Sequence, residues 1–285
     1  YRKQNLFITR NFFTSFLLSL LKKKHIFEIH DDILIEGRIV KFLIKFFKIL
    51  NYASVIKIIT TTHSLKKKYL EYGVLKKKMF VLHNASSLKS KFKKYTNKKN
   101  KLKIGYFGSI YNSRGIEIIL KISKIDRKNT YHIYGGSEDH IHLIKKNIKN
   151  KNIKLNSHIP YSEIYNKLKS IDVCILPYTS KITVSGNVGD ISNYTSPLKL
   201  FDYMKMGKLI LCSNLKVLNE VLHHKKNCIM INDFNNEQEW LRQINSVNKN
   251  IKKFDSIRKS AFDYAKKNDV IWRTKKLLSF HYSSN

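Results

Sequence analysis

The residues best equipped for chemistry lie in the segment Thr195-Ser-Pro-Leu-Lys-Leu-Phe-Asp-Tyr-Met-Lys-Met-Gly-Lys208. Ser196 is an N-cap residue type, and Pro197 fits a first helical position, where its missing N–H costs nothing. Leu198, Leu200, Phe201 and Met204 recur at helical spacing and are expected to face a core. Gly207 ends the helix, and Leu209-Ile-Leu-Cys212 follows as a strand. A helix N-terminus presents unpaired N–H groups and a positive dipole end, which together bind anions. Lys199 stands in the first turn, where its charge opposes the dipole unless an anion neutralises it. Asp202, one turn further on, can accept hydrogen bonds from hydroxyls. A diphosphate flanked by a sugar or ribose suits this chemistry.

Two other places carry reactive groups. Arg114-Gly115 follows a strand and short loop and precedes the helix 116–125; an arginine at such a turn can clamp phosphate oxygens with both arms. His30 closes the strand that contains Glu28, at the carboxyl edge of a parallel sheet, where open α/β folds bind ligands. Asp31-Asp32 has no evident third ligand, so no metal site is expected. His140, His142, His223 and His224 lie in polar stretches and are read as surface residues.

The elements that must position these groups alternate between strand and helix. Strands are expected at 5–9, 26–29, 55–60 and 80–82, with amphipathic helices at about 11–23, 38–50 and 63–72. This alternation implies a parallel sheet with crossover helices. Residues 87–101 are polar and lysine-rich and read as a connection between domains. A second alternating pattern runs from Leu102 to about Ile231, followed by helical segments to about Phe280.

At this point the chain resembles a known family. Ser196–Met204 is similar to the SPLKLFEYM signature of GT-B glycosyltransferases close to retaining family 4. Lys103–Gly115 resembles the strand and loop that open the family's C-terminal domain, His132-Ile-Tyr-Gly-Gly136 its next glycine-ended strand, and Asp172–Tyr178 its "aDv.vlPy" strand. Gly186–Asp190 resembles a loop found in a subset of these enzymes. The resemblance implies two Rossmann-like domains with the active site in the cleft between them, the first strands of the N-terminal domain lying upstream of this chain. It divides the chain into a partial acceptor-side domain (1–86), a basic linker (87–101), a nucleotide-sugar-binding domain (102–260) and a helical tail that crosses back (261–285). The expected donor contacts are Gly108, Ser109, Arg114, Gly115, Ser196, Pro197, Leu198, Lys199 and Asp202, with His30, Lys199 and Arg114 as catalytic groups. Ser109 stands where the family often has a second basic residue, and Asp202 replaces a glutamate that meets the nucleotide ribose. The implied reaction moves a sugar from a nucleoside diphosphate sugar to a glycan or lipid-linked acceptor, with retention and without metal or other cofactor. The implied setting is cell-envelope polysaccharide or glycolipid synthesis in the cytoplasm.

Composition narrows the rivals. A length of 285 residues allows two ordinary domains. The formal net charge of +35 points by itself to nucleic acid or an anionic membrane. The excess is carried mostly by lysine, in a chain also rich in Asn, Ile, Tyr and Phe, all with A/T-rich codons; a nucleic-acid reader would use more arginine. Cys174, Cys212 and Cys228 sit far apart in apolar runs and read as reduced core thiols. No apolar run reaches the roughly 18 residues of a membrane span. Arg38, Lys41, Lys45 and Lys48 form a basic stripe on an otherwise apolar helix, a solvated edge or an anchor for peripheral contact with an anionic membrane. The alternatives to the transferase are a basic module binding nucleic acid or membrane, and a nucleotide-sugar epimerase on the same fold.

Overall fold

The computed structural model describes residues 6–33, 37–96, 100–110, 113–146, 148, 150–182 and 190–282. Of the glycine-bearing run 186–190, only Asp190 falls among them. The chain divides into two compact units: residues 1–84, 193–196 and 270–285 form the first, and 85–192 and 197–269 the second.

The first unit is a four-stranded parallel sheet in the order β1 (Phe7–Thr9), β2 (His25–Ile29), β3 (Val55–Thr60), β4 (Met79–Val81). Its crossovers are α1 (Phe12–Leu20), α2 (Arg38–Lys45) and α3 (His63–Glu71). Because strand side chains alternate, Phe27, Ile29 and Ile58 join Phe12, Val40, Ile44 and Leu65 in one core. Ile26 and Ile59 point the other way, into a cluster with Leu277 and Phe280 of the last helix, α10 (Val270–Tyr282). Arg273 of α10 pairs with buried Glu28 at 2.9 Å and donates to the His83 carbonyl at 3.0 Å, which fixes the helix to this sheet. The return to the first unit therefore starts at Val270, and not at 261, because the preceding helix packs within the second unit.

Two helices depart from their sequence reading. The second was expected over 38–50, but α2 ends at Lys45, and Lys48 adopts a left-handed conformation with φ of 49°. Lys48 therefore lies off the helix that carries Arg38, Lys41 and Lys45. In α1 the inward stripe is mixed: Ser15 and Ser19 are buried beside Phe12, while Phe13, Leu17 and Leu20 are exposed. The Ser15 hydroxyl faces inward because it lies 2.8 Å from His25 Nε2, on a ring whose Nδ1 is committed to the Lys23 carbonyl at 2.9 Å. Burial lowers the His25 pKa, so the ring is neutral, Nδ1–H donates, and the serine donates to Nε2.

The second unit is a six-stranded parallel sheet in the order β10-β9-β8-β5-β6-β7. These strands are β5 (Lys103–Phe107), β6 (Thr130–Tyr134), β7 (Ile153–Asn156), β8 (Val173–Leu176), β9 (Leu209–Ser213) and β10 (Ile229–Ile231). The helices are α4 (Ile116–Ile125), α5 (Glu138–Lys146), α6 (Tyr161–Lys169), α7 (Leu198–Lys205), α8 (Glu237–Lys249) and α9 (Asp255–Lys267). Strand order runs outward from β5 in one direction and from β8 in the other. The β5–β8 junction is thus the topological switch point, where such sheets leave a crevice at their carboxyl ends. Residues 85–96 are no free linker: they form an extended strap on this unit. Ser86 donates to Asp202 at 2.6 Å, Phe92 packs on Phe262, and the Tyr95 hydroxyl donates to Asp172 at 3.2 Å. The three cysteines are buried and free.

Candidate active site

The carboxyl ends of β5 and β8 carry the site, and glycines bring the backbone close enough to build it. Gly115, in the left-handed region at φ 77°, is the N-cap of α4. A Cβ there would lie 1.6 Å from the Pro177 carbonyl, so only glycine lets α4 start against the end of β8. Gly108 follows β5 at φ 134°, and a Cβ on it would fall 2.2 Å from Lys199 Nζ. With no side chain at Gly108, the lysine tip lies directly against the backbone there. The helix that supplies Lys199 is fixed from inside, since the Tyr203 hydroxyl of α7 accepts the Phe107 N–H of β5 at 2.8 Å.

The ammonium of Lys199 rests against the Tyr106 ring at 4.1 Å and lies 5.6 Å from that of Tyr178. It donates to the Tyr106 hydroxyl at 2.9 Å, which in turn donates to the Ser109 carbonyl at 2.7 Å. The Arg114 guanidinium also lies 5.6 Å from the centre of the Tyr178 ring. Burial, and then the neighbouring Arg114 charge, push the Lys199 pKa well below its ordinary value. Burial likewise raises the Tyr178 hydroxyl to about 12, although Arg114 pulls it down. Two cations therefore share an aromatic pocket in which neither neutralises the other. Neither α4 nor α7 has a side-chain cap at its N-terminus. An anion with several oxygens placed here would meet both basic side chains and the helix N–H groups together.

The structure brings Gly108, Ser109, Arg114, Gly115, Pro197 and Lys199 to this edge, with Tyr106 and Tyr178 added. The tyrosines belong to segments recognisable in the sequence, but nothing in their spacing marked them as the lining of a lysine site. The helix starts one residue later than expected: Pro197, with an extended ψ of 123°, is the cap, and Leu198 is the first helical residue. Ser196 is not the cap. It belongs to the first unit, where its carbonyl accepts from Asn84 Nδ2 at 2.7 Å. Leu198 was expected in the core with Leu200, Phe201 and Met204; those three are buried, but Leu198 is 60% exposed.

Asp202 is buried, and its Oδ1 accepts from Ser86 at 2.6 Å and from Tyr161 at 3.0 Å. Burial raises its pKa, with the two hydroxyls opposing that shift. Part of its acceptor capacity is thus spent on the strap and on the start of α6, two partners the sequence did not signal. His30 lies in the first unit, at the end of β2, with Nε2 3.3 Å from Glu28 Oε2. Asp32 is buried beside Lys68 and pairs with it, which uses it structurally. Among the described residues no group of three or more His, Cys, Asp or Glu could hold a metal ion.

Solved structures with the same architecture cover nearly the whole chain. HepE from Anabaena, in complex with UDP-glucose, aligns with a TM-score of 0.73 at 14% identity, over 98% of this chain and 78% of that one. Sucrose-phosphate synthase from Thermosynechococcus elongatus aligns at 0.72 and 12% identity, over 98% and 74%. A glycosyltransferase from Rickettsia africae aligns at 0.70 and 15% identity, over 98% and 76%. At such identities the likeness is one of fold, that of the GT-B glycosyltransferases. No curated protein sequence matches the chain. Residues 101–250, more than half of the chain and including β5, β8 and α7, match the family of glycosyl transferases group 1; the chain belongs to that family and is a glycosyltransferase.

Proposed function

We propose that the donor is a nucleoside diphosphate sugar and that its diphosphate is held by Lys199, Arg114 and the N-termini of α4 and α7. The observation that carries this reading is the pair of basic side chains beside Tyr178 at the β5–β8 switch point, with the lysine tip against the Gly108 backbone. The UDP-glucose in HepE supports a donor of this class. Breaking the bond between the anomeric carbon and the diphosphate leaves negative charge on the phosphate oxygens. Preorganised cations stabilise that charge most as it develops. An acceptor hydroxyl forms the new bond to the anomeric carbon, and its proton passes to the departing phosphate. With the acceptor hydroxyl approaching on the same face as the departing phosphate, the transfer keeps the anomeric configuration, as the resemblance to family 4 implies. The charge brought by Lys199 and Arg114 makes a metal unnecessary in this scheme. His30, held by Glu28, is proposed as the acceptor-side group, and the acceptor as a glycan or lipid-linked hydroxyl of the cell envelope.

The test is purified protein incubated with a panel of labelled nucleotide sugars, with and without chelator. Slow donor hydrolysis, or transfer to an added glycan, at a rate the chelator leaves unchanged is the expected result. Binding of RNA with no binding of any nucleoside diphosphate would replace the donor reading with a basic binding module.

A further inference from the structure

We propose that the second unit holds a binding site for a polyphosphorylated small molecule, formed by the strap at the amino end of the sheet. A cavity of about 700 Å³ opens there, within the size range of small-ligand pockets. Its walls come from strap residues 89–95, the end of α6, Arg258 of α9 and the residues that lead into β8 and β9. Asp172 immediately precedes β8 and Lys208 immediately precedes β9, so the cavity lies at the opposite end of the sheet from the donor machinery. Its floor is fixed by buried charge. Arg258 and Lys208 are 5% and 7% exposed. The Arg258 guanidinium donates to the carbonyls of Gly207 at 2.8 Å and Lys93 at 3.0 Å, pairs with Asp255, and lies 4.1 Å from the centre of the Tyr95 ring. Lys208 donates to the Ile171 carbonyl at 2.6 Å. Asp172 is the one carboxylate among the described residues that line the cavity. It accepts from the Tyr95 hydroxyl at 3.2 Å and the Lys103 N–H at 2.9 Å, so its oxygens already hold the wall together.

The rim identifies the ligand. Along the strap Ser86 and Leu88 are buried, Ser90 donates to the Lys205 carbonyl, and Phe92 packs on Phe262. The alternate residues of an extended chain face the other way, which sets Lys89, Lys91 and Lys93 in one exposed row at intervals of roughly 6.5 Å. Lys94 and Lys169, both exposed, complete the rim. None of these five lysines pairs with a carboxylate among the described residues. Like charges gathered around one cavity repel each other, and an anion placed among them relieves that repulsion. Phosphate carries about 1.5–2 negative charges per group at pH 7, so roughly three groups on one ligand match five ammoniums, where a single carboxylate would leave four unmatched. Lysine also suits phosphate, as a point charge that needs no fixed fork geometry. Nucleic acid fits less well. The one arginine of the cavity is buried and committed, and Tyr95 and Tyr165 are only half-buried parts of the wall, so no exposed guanidinium or ring is offered to bases.

The test is isothermal titration with inorganic tripolyphosphate in the presence of excess UDP. A cavity variant, Lys91→Gln/Lys93→Gln/Lys94→Gln/Lys169→Gln, is compared with wild type. A control carries Lys145→Gln/Lys146→Gln/Lys249→Gln/Lys252→Gln, the same loss of charge from exposed lysines elsewhere in the second unit. Wild type and control are expected to bind tripolyphosphate alike, and the cavity variant more weakly by about tenfold or more, since even one charge-assisted hydrogen bond is worth about that factor. Equal binding by the cavity variant and wild type, or a control that falls as far, would overturn the proposal and leave net charge as the whole attraction. Tripolyphosphate that UDP displaces completely would also overturn it, by placing the anion in the donor site alone. A second measurement needs no variant: tripolyphosphate should protect Lys91, Lys93, Lys94 and Lys169 of the wild type from an amine-acylating reagent, read by mass spectrometry, and leave the control lysines open. Uniform labelling with and without the anion would refute the site. A short single-stranded RNA that protects the same four lysines where tripolyphosphate does not would replace it with a nucleic-acid surface. UDP affinity of each protein is measured separately, so failure here leaves the reading of the Lys199 site standing.

Discussion

Replacing Lys199 by methionine keeps the aliphatic stem beside Gly108 and removes the ammonium, and the structure fixes what that should do across pH. In the ligand-free protein, burial and the Arg114 charge hold the Lys199 pKa well below 10.5. A diphosphate placed against the ammonium raises that pKa again, so binding takes up a proton in the window between the lowered value and the ordinary one. The complex holds the extra proton. Affinity is therefore full below the free-state pKa and declines as pH rises through the window, by up to about tenfold per pH unit, or about 1.4 kcal/mol. Loss of one charge-assisted hydrogen bond to phosphate costs about 1.5–3 kcal/mol, so Lys199→Met should bind UDP about 10- to 150-fold more weakly and without that pH slope. Folding carries the opposite sign. Here the unfolded chain binds more protons than the folded one, so wild-type stability rises with pH through the same window, and the variant, relieved of a buried charge, should melt at or above wild type. The assay is isothermal titration with UDP in two buffers of different ionisation enthalpy, at several pH values. Identical apparent enthalpies in both buffers at every pH, or wild-type affinity in the variant, would refute the assignment.

Three further outcomes follow from the geometry. Gly115→Ala sets a Cβ 1.6 Å from the Pro177 carbonyl, a backbone atom with nowhere to go, at a φ of 77°. It should cost roughly 3 kcal/mol or more in urea unfolding, and a loss under about 1 kcal/mol would show that the turn can open. Asp202→Ala leaves the Ser86 and Tyr161 hydroxyls without their acceptor and should cost about 1–3 kcal/mol, whereas Asp202→Asn keeps an acceptor oxygen and should cost less. Equal melting of both variants with wild type would remove Asp202 from the anchoring of the strap. Burial would raise the Glu28 pKa, but His30 and Arg273 together hold it down at about 2, against an ordinary 4.5. The stability this carboxylate contributes is present above pH 4.5 and lost as pH falls toward 2, about 3 kcal/mol in all. Glu28→Gln should flatten that acid limb in a pH series of urea melts, and an unchanged limb would refute the pairing.

The elements that sequence reading located best are those with a local reason to form. The helix α7 was legible because an apolar period and a terminal glycine bracket it, and β8 and β9 because short apolar runs leave few alternatives. Its first turn was misplaced by one residue. Both Ser and Pro favour helix starts, and only the Asn84 contact to the Ser196 carbonyl and the extended ψ of Pro197 decide between them. The partners of Asp202 were illegible for a similar reason: Ser86 and Tyr161 are 116 and 41 residues away, joined to it by folding alone. The inward serines of α1 escaped a periodicity argument because period identifies a stripe but not which polar residues can share it. There the deciding term is the hydrogen bond of Ser15 to His25, a local polar contact that outranks the burial of Leu17.

Lys199 departs from the arrangement that would stabilise the isolated chain most, as a cation in the first turn of a helix beside a second cation. An ammonium that is disfavoured where it stands becomes favourable once phosphate oxygens arrive. Local rules tend to be broken where a ligand completes the structure, so this site is best tested with that ligand present. The Lys199→Met melt then acquires a second use. A variant more stable than wild type yet weaker for UDP would show directly that the lysine is retained for binding at the expense of the fold.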